Sequence, residues 1–201
     1  MEEIISKSLN SAVDYKSYRK LIKSLLEIGK STGVSQSEDL LHFSIMNDRR
    51  MQRLDKTITL NESIVAAAAN LSGTYTLLTL TEGWCGDAAH ALPVLDKIAT
   101  STDNLKLKIV LRDENEELMS QFLTDGSKSI PKVIVLNELK EVVGTWGPRP
   151  STATDMVNDY KSEHGALDAD FKKELQLWYN KDKGKTMQQD LEELFMTFEN
   201  T

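Results

Sequence analysis

Along residues 1–70 the apolar side chains recur close to the 3.6-residue period of a helix. Tyr15, Tyr18, Leu21, Ile22, Leu25, Leu26 and Ile28 form one stripe, and Gly33 supplies a stop. A second stripe begins behind Ser37, with Glu38 and Asp39 in its first turn and Leu40, Leu41, Phe43, Ile45, Met46, Met51 and Leu54 following. Asn61 is placed to cap a third, alanine-rich helix that Ser72-Gly73 closes. The character changes at residues 74–81, a short run of β-branched and aromatic residues that predicts a buried strand. A helix is predicted from about Gly86 to Ala99, a strand over 105–111, and a short helix over 114–123 ended by Asp125-Gly126. Strands over 132–136 and 141–145 stand at hairpin spacing. The order β-α-β-α-β-β implies a mixed sheet that needs helices on its faces. Beyond Pro148-Arg149-Pro150 the helical period returns, with Ser151 or Thr152 capping a helix to about Glu163 and further helices over 167–179 and 186–198.

The chain has 201 residues and a net charge of −7, a size for a single core with additions. The negative balance argues against a nucleic-acid partner, whose affinity comes largely from neutralised phosphates. The last fifty or so residues are the most acidic part, and a solvated helix face is the ordinary origin of such a bias. Acids, not bases, stand at Met1-Glu2-Glu3, and no run approaches the ~18–20 apolar residues of a membrane span. The single Cys85 has no internal disulfide partner. The expectation is a cytoplasmic protein with no membrane association.

Candidate chemistry gathers between the first central strand and its helix, at Thr81-Glu82-Gly83-Trp84-Cys85-Gly86-Asp87-Ala88. A thiol at a helix N-terminus meets free backbone N–H groups and the positive end of the dipole, both of which favour the nucleophilic thiolate. The ordinary alternative is a small buried hydrophobe, as free cysteines usually are. The run from Trp84-Cys85-Gly86-Asp87-Ala88 through Pro93 to Leu95-Asp96-Lys97-Ile98-Ala99 resembles the active-site helix of the thioredoxins. Ser129-Ile130-Pro131-Lys132-Val133-Ile134-Val135-Leu136 is similar to the cis-proline strand of that superfamily, and Gly147 falls where the family keeps a glycine beside the active-site face. The motif and the helical flanks look closer to a bacterial thioredoxin-like branch than to the small general reductases.

The resemblance implies an α/β thioredoxin-like fold over residues 71–150, with helical extensions over 1–70 and 151–201 packed on it as one unit. It implies that Pro131 is cis and exposes the backbone of Ile130 for an added strand. Two departures matter. The family's resolving cysteine falls at Ala88, and its buried acid falls at Thr79, so a general dithiol reductase is not expected. Three options remain for Cys85: a monothiol exchanging with a small thiol or a protein disulfide, a sulfenic-acid peroxide sensor, or a bystander in a non-catalytic interaction module. The first is the favoured reading, with no cofactor. Asp87 favours the helix start but opposes the thiolate, so the direction of the Cys85 pKa shift is open. Trp84 and Trp146 either wall a groove with Gly86, Ile130 and Pro131 or pack in the core. Arg149 either pairs with a ligand carboxylate or makes a surface salt bridge. His90 lies about 140° round the helix from Cys85 and is expected to be an exposed or satisfied helical histidine. Three histidines and one cysteine lack ligand spacing, so no metal site is expected. For the basic run from Asn47 to Arg53, pairing with the acidic C-terminal helices accounts for it at least as well as a ligand does. The oligomeric state is open.

Overall fold

A computed structural model describes residues 1–198. Four helices come first: α1 (Glu2–Ser11), α2 (Tyr15–Glu27), α3 (Glu38–Thr57) and α4 (Glu62–Ala69). The centre runs β1 (Tyr75–Thr81), α5 (Gly86–Ala99), β2 (Leu105–Leu111), α6 (Glu116–Gln121), β3 (Lys132–Leu136) and β4 (Val142–Trp146). The helices α7 (Ser151–His164), α8 (Ala169–Asp182) and α9 (Lys185–Phe198) follow. Short polar side chains start several helices by accepting an otherwise unpaired N–H: Asp14 from Ser17, Ser37 from Leu40 and Asp168 from Phe171.

The structure differs from the sequence expectation at element ends. The helix α2 stops at Glu27, before Gly33, because Ile28 leaves helical geometry and Gly29 turns to positive φ. Residues 112–114 form a 3₁₀ turn and Asn115 breaks regularity, so α6 is shorter than predicted. Asn61 stands at the start of α4 without a side-chain cap bond; its own N–H donates to Gln188 Oε1 of α9 at 2.7 Å. Ser151 is the first residue of α7 rather than its cap. The Asp190 carboxylate of α9 accepts both its N–H (2.9 Å) and its hydroxyl (2.6 Å), which puts negative charge at the positive end of α7.

The strands form one mixed sheet in the order β2-β1-β3-β4. Parallel β1 and β2 register Tyr75 with Leu105 and Thr81 with Leu111. Antiparallel β3 pairs Val133 with Thr79 of β1 and with Trp146 of β4. The central strands β1 and β3 are buried almost throughout, as strands covered on both faces must be. Helix α5 packs on β2 and α3, while α9 covers α4 and β4. Apolar side chains from the N-terminal helices, the sheet, α5 and α9 share one core, including Ile5, Tyr18, Met51, Leu80, Leu95 and Phe195. Helices α7 and α8 instead build a small core of their own from Ala153, Val157, Phe171, Leu175 and Tyr179.

After β4 the chain turns through Gly147, and both Ile130-Pro131 and Gly147-Pro148 are cis. Gly147 has φ +107°, and a Cβ there would lie 2.2 Å from the Pro131 carbonyl oxygen. Only glycine lets these two loops close on each other. Gly147→Ala is therefore expected to cost at least about 2 kcal/mol of stability by urea unfolding. A loss below about 0.5 kcal/mol, the level of an ordinary surface change, would show that the loops are not in this contact.

Candidate functional site

Cys85 is the N-cap residue of α5, and its side chain is held at two points. Sγ accepts the Ala88 N–H at 3.5 Å and donates to the Ile130 carbonyl oxygen at 3.3 Å, the carbonyl directly before cis-Pro131. The fold thus brings the two motifs of the central region face to face. Cys85 is nevertheless only 8% exposed. Burial and, after it, the Asp87 charge push its pKa up to about 12, while the Ala88 and Asp87 amides and the Arg149 guanidinium pull back only in part. In this closed arrangement the thiol keeps its proton at neutral pH.

Side chains of α8 lie against the residues that follow the thiol. Tyr179 donates its hydroxyl to Asp87 Oδ1 at 2.9 Å, and Arg149 pairs with Asp87 Oδ2 at 2.8 Å. Burial raises the Asp87 pKa, opposed by Arg149, Tyr179 and Arg50. The His90 ring stacks on Tyr179 with centroids 4.2 Å apart, and its Nε2 meets Gln176 Oε1 at 3.1 Å. Burial and the nearby Arg50 and Arg53 charges hold His90 neutral, with its pKa lowered to about 3. Above Gly86, a Cβ would touch Gln176 Nε2 at 3.6 Å and Arg50 Nη1 at 3.8 Å. Arg53 reaches Asn180 at 2.7 Å, so the basic run on α3 does meet a C-terminal helix, through an amide in place of an acid.

Cys85, Gly86, Asp87, Ile130, Pro131, Gly147 and Arg149 therefore gather at one end of the sheet. The two tryptophans diverge. Trp84 is half-buried with the Arg112 guanidinium 4.9 Å over its ring, whereas Trp146 sits in the main core and donates its indole N–H to Asp190 at 3.1 Å. Thr79, where a buried acid was missing, is itself buried and donates to the Leu77 carbonyl.

Sequence reasoning gave no individual role to Tyr179, Gln176, Asn47 or Glu82. Tyr179 and Gln176 are three apart and so share a helix face, the one signal available. Glu82 is fully buried three residues before the thiol, accepts the Asp113 N–H at 3.0 Å, and has its pKa raised by burial. Among the described residues, no cluster of three or more His, Cys, Asp or Glu is placed to hold a metal ion, and no helix is long and apolar enough to cross a membrane.

A family model described as Thioredoxin matches residues 33–161, more than half of the chain. No curated protein matches it. The crystal structure of an HIV epitope scaffold is similar at a TM-score of 0.54 and 20% identity, covering 94% of this chain and 99% of that one. A protein of unknown function from Pseudomonas aeruginosa is similar at a TM-score of 0.56 and 19% identity, covering 94% and 98%. At such identities the likeness is one of fold.

Two outcomes follow from the charges. Asp87→Asn removes the negative neighbour and frees Arg149, so the Cys85 pKa should fall from about 12 while staying above that of an ordinary thiol, because burial remains. The pH dependence of thiol alkylation measures this, and a rise would mean that Asp87 acts by holding the loop. For His90 the folded pKa lies below the unfolded one. Its contribution to stability is thus present above about pH 6.5 and lost as pH falls toward about 3. His90→Phe, which keeps the stack on Tyr179, should flatten that part of the stability profile in urea titrations.

Proposed function

Because the chain belongs to the thioredoxin family, we propose that Cys85 works as a monothiol in thiol-disulfide exchange with a small thiol or protein disulfide. One observation carries the reading: the Cys85 sulfur lies between the Ala88 amide and the Ile130 carbonyl beside cis-Pro131. A disulfide lying along Ile130 would meet that sulfur, and the Ile130 carbonyl becomes free to pair once the thiol has lost its proton. In the reaction Cys85 gives its proton to solvent and its sulfur attacks one sulfur of the disulfide. A new S–S bond forms, the old one breaks, and the other sulfur leaves as a thiolate that takes a proton. Ala88 supplies no resolving thiol, so a second small thiol attacks the mixed disulfide and restores Cys85. A reducing cytoplasm holds such thiols in excess.

Burial sets the condition for this chemistry. With α8 in place the thiol is protonated and covered, so exchange requires α8 to move off Gly86 and Asp87. Water entering the site removes the largest cause of the raised pKa, and the helix N-terminus then favours the thiolate. The hairpin of α7 and α8 is suited to moving as a piece because its small core is its own. Its hold on the site is mostly polar, through Tyr179, Gln176 and Asn180.

The same burial favours a second reading, a non-catalytic interaction module in which Cys85 is an inert core residue. The two separate on incubation with glutathione disulfide. The monothiol reading expects a mixed disulfide at Cys85, seen by intact mass and absent in Cys85→Ser, that reduced glutathione removes. Tyr179→Phe, which deletes one hydrogen bond to a buried carboxylate, should speed its formation about tenfold. A native thiol that never reacts, in either protein, leaves the module reading.

A further inference from the structure

Helix α3 brings Arg50 to the thiol. Its guanidinium stands over Gly86, the residue after Cys85, and is held there by a relay. Arg50 Nη1 donates to Asn47 Oδ1, and buried Asn47 donates from Nδ2 to the Gly83 carbonyl at 3.0 Å, in the loop that carries the thiol. Among the described residues no carboxylate forms an ion pair with Arg50. The charged groups that face it are Arg53 and Asp87, together with the neutral Tyr179. Asp87 is already engaged by Arg149 at 2.8 Å and by Tyr179 at 2.9 Å, and His90 alongside is uncharged. Two guanidiniums, Arg149 and Arg50, thus share the Asp87 carboxylate beside Cys85, and Arg53 adds a further positive charge next to Arg50, in a chain whose net charge is −7. A half-buried guanidinium without an ion pair of its own is costly, and an arriving anion relieves that cost.

We infer that the disulfide exchanging at Cys85 is a small one bearing carboxylates, and that Arg50 selects it. The inference rests on the monothiol reading and names its substrate class. When Tyr179 and Gln176 leave the site, the space over Gly86 opens directly beside Arg50, and Arg53 is released from Asn180. A carboxylate near the attacked sulfur then pairs with the planar fork of Arg50. Arg50 takes no part in the bond changes, which are those given above.

The test uses the full-length protein at low ionic strength and follows mixed-disulfide formation at Cys85 by mass spectrometry. The probes are glutathione disulfide (anionic), 2-hydroxyethyl disulfide (neutral) and cystamine (cationic). Comparing the anionic-to-neutral rate ratio between variants cancels the intrinsic reactivity of each probe. Arg50→Gln keeps a donor for Asn47, so the relay and the fold should survive; thermal melting checks this. The ratio is expected to fall about tenfold in Arg50→Gln and less in Arg50→Lys, with cystamine relatively faster in Arg50→Gln. About 0.5 M salt should shrink the wild-type preference. Lys106→Gln, an exposed site on β2, controls for net charge and should leave the ratio unchanged. An unchanged ratio in Arg50→Gln, or an equal fall in Lys106→Gln, overturns the assignment of Arg50 while leaving exchange at Cys85 intact. No mixed disulfide with any of the three probes overturns the monothiol reading itself.

Discussion

One largely buried carboxylate, that of Asp87, joins three parts of this molecule that are remote in sequence. It stands in the first turn of α5, its Oδ2 binds Arg149 in the loop after β4, and its Oδ1 accepts the hydroxyl of Tyr179 on α8. A carboxylate removed from water needs such partners, since an unpaired buried charge costs several kcal/mol. The pair explains why the loop carrying Arg149 lies against the start of α5, and why α8 closes over it. It also sets the electrostatics of the thiol two residues earlier.

Cys85 shows how competing local effects are decided by magnitude. The N-terminal position on α5, the Ala88 amide and the Arg149 charge all favour the thiolate, yet burial and Asp87 outweigh them and the pKa rises to about 12. Dipole and amide contributions at a helix start amount to about a kcal/mol, whereas desolvation of a fully covered group reaches several pKa units. Coverage is therefore the variable that governs reactivity here. Next to the thiol, α8 meets Asp87 and His90 through polar contacts and one ring stack, while its apolar core is formed with α7.

The rest of the fold serves to hold the two motifs opposite each other. Antiparallel β3 beside β1 carries Ile130 and Pro131 to the end of the sheet where β1 delivers Cys85. Gly147 then lets the loop after β4 close on Pro131 without a side chain between them. The N-terminal helices contribute to the central core, and α3 passes along α5 close enough to place Asn47 on Gly83 and Arg50 over Gly86.

The order of helices and strands from Tyr15 onward, the position of Cys85 at the start of α5 and the cis-proline strand facing it were legible in the amino-acid sequence, whereas α1 was not set apart as a helix of its own. Periodicity, capping residues and the Trp-Cys-Gly and Ile-Pro motifs are local or nearly contiguous patterns, and they predict local structure. Element ends were less legible, because Asp190 starts α7 and Gln188 binds at Asn61 through contacts from α9 that no window around those residues contains. The state of the thiol was decided by the tertiary structure alone. Tyr179 and Asp87 are 92 residues apart, and the sequence around Tyr179 reads as an ordinary apolar helix face. Whether a helix-start cysteine is a thiolate or a covered thiol depends on how much water reaches it, and only the tertiary packing around it determines that.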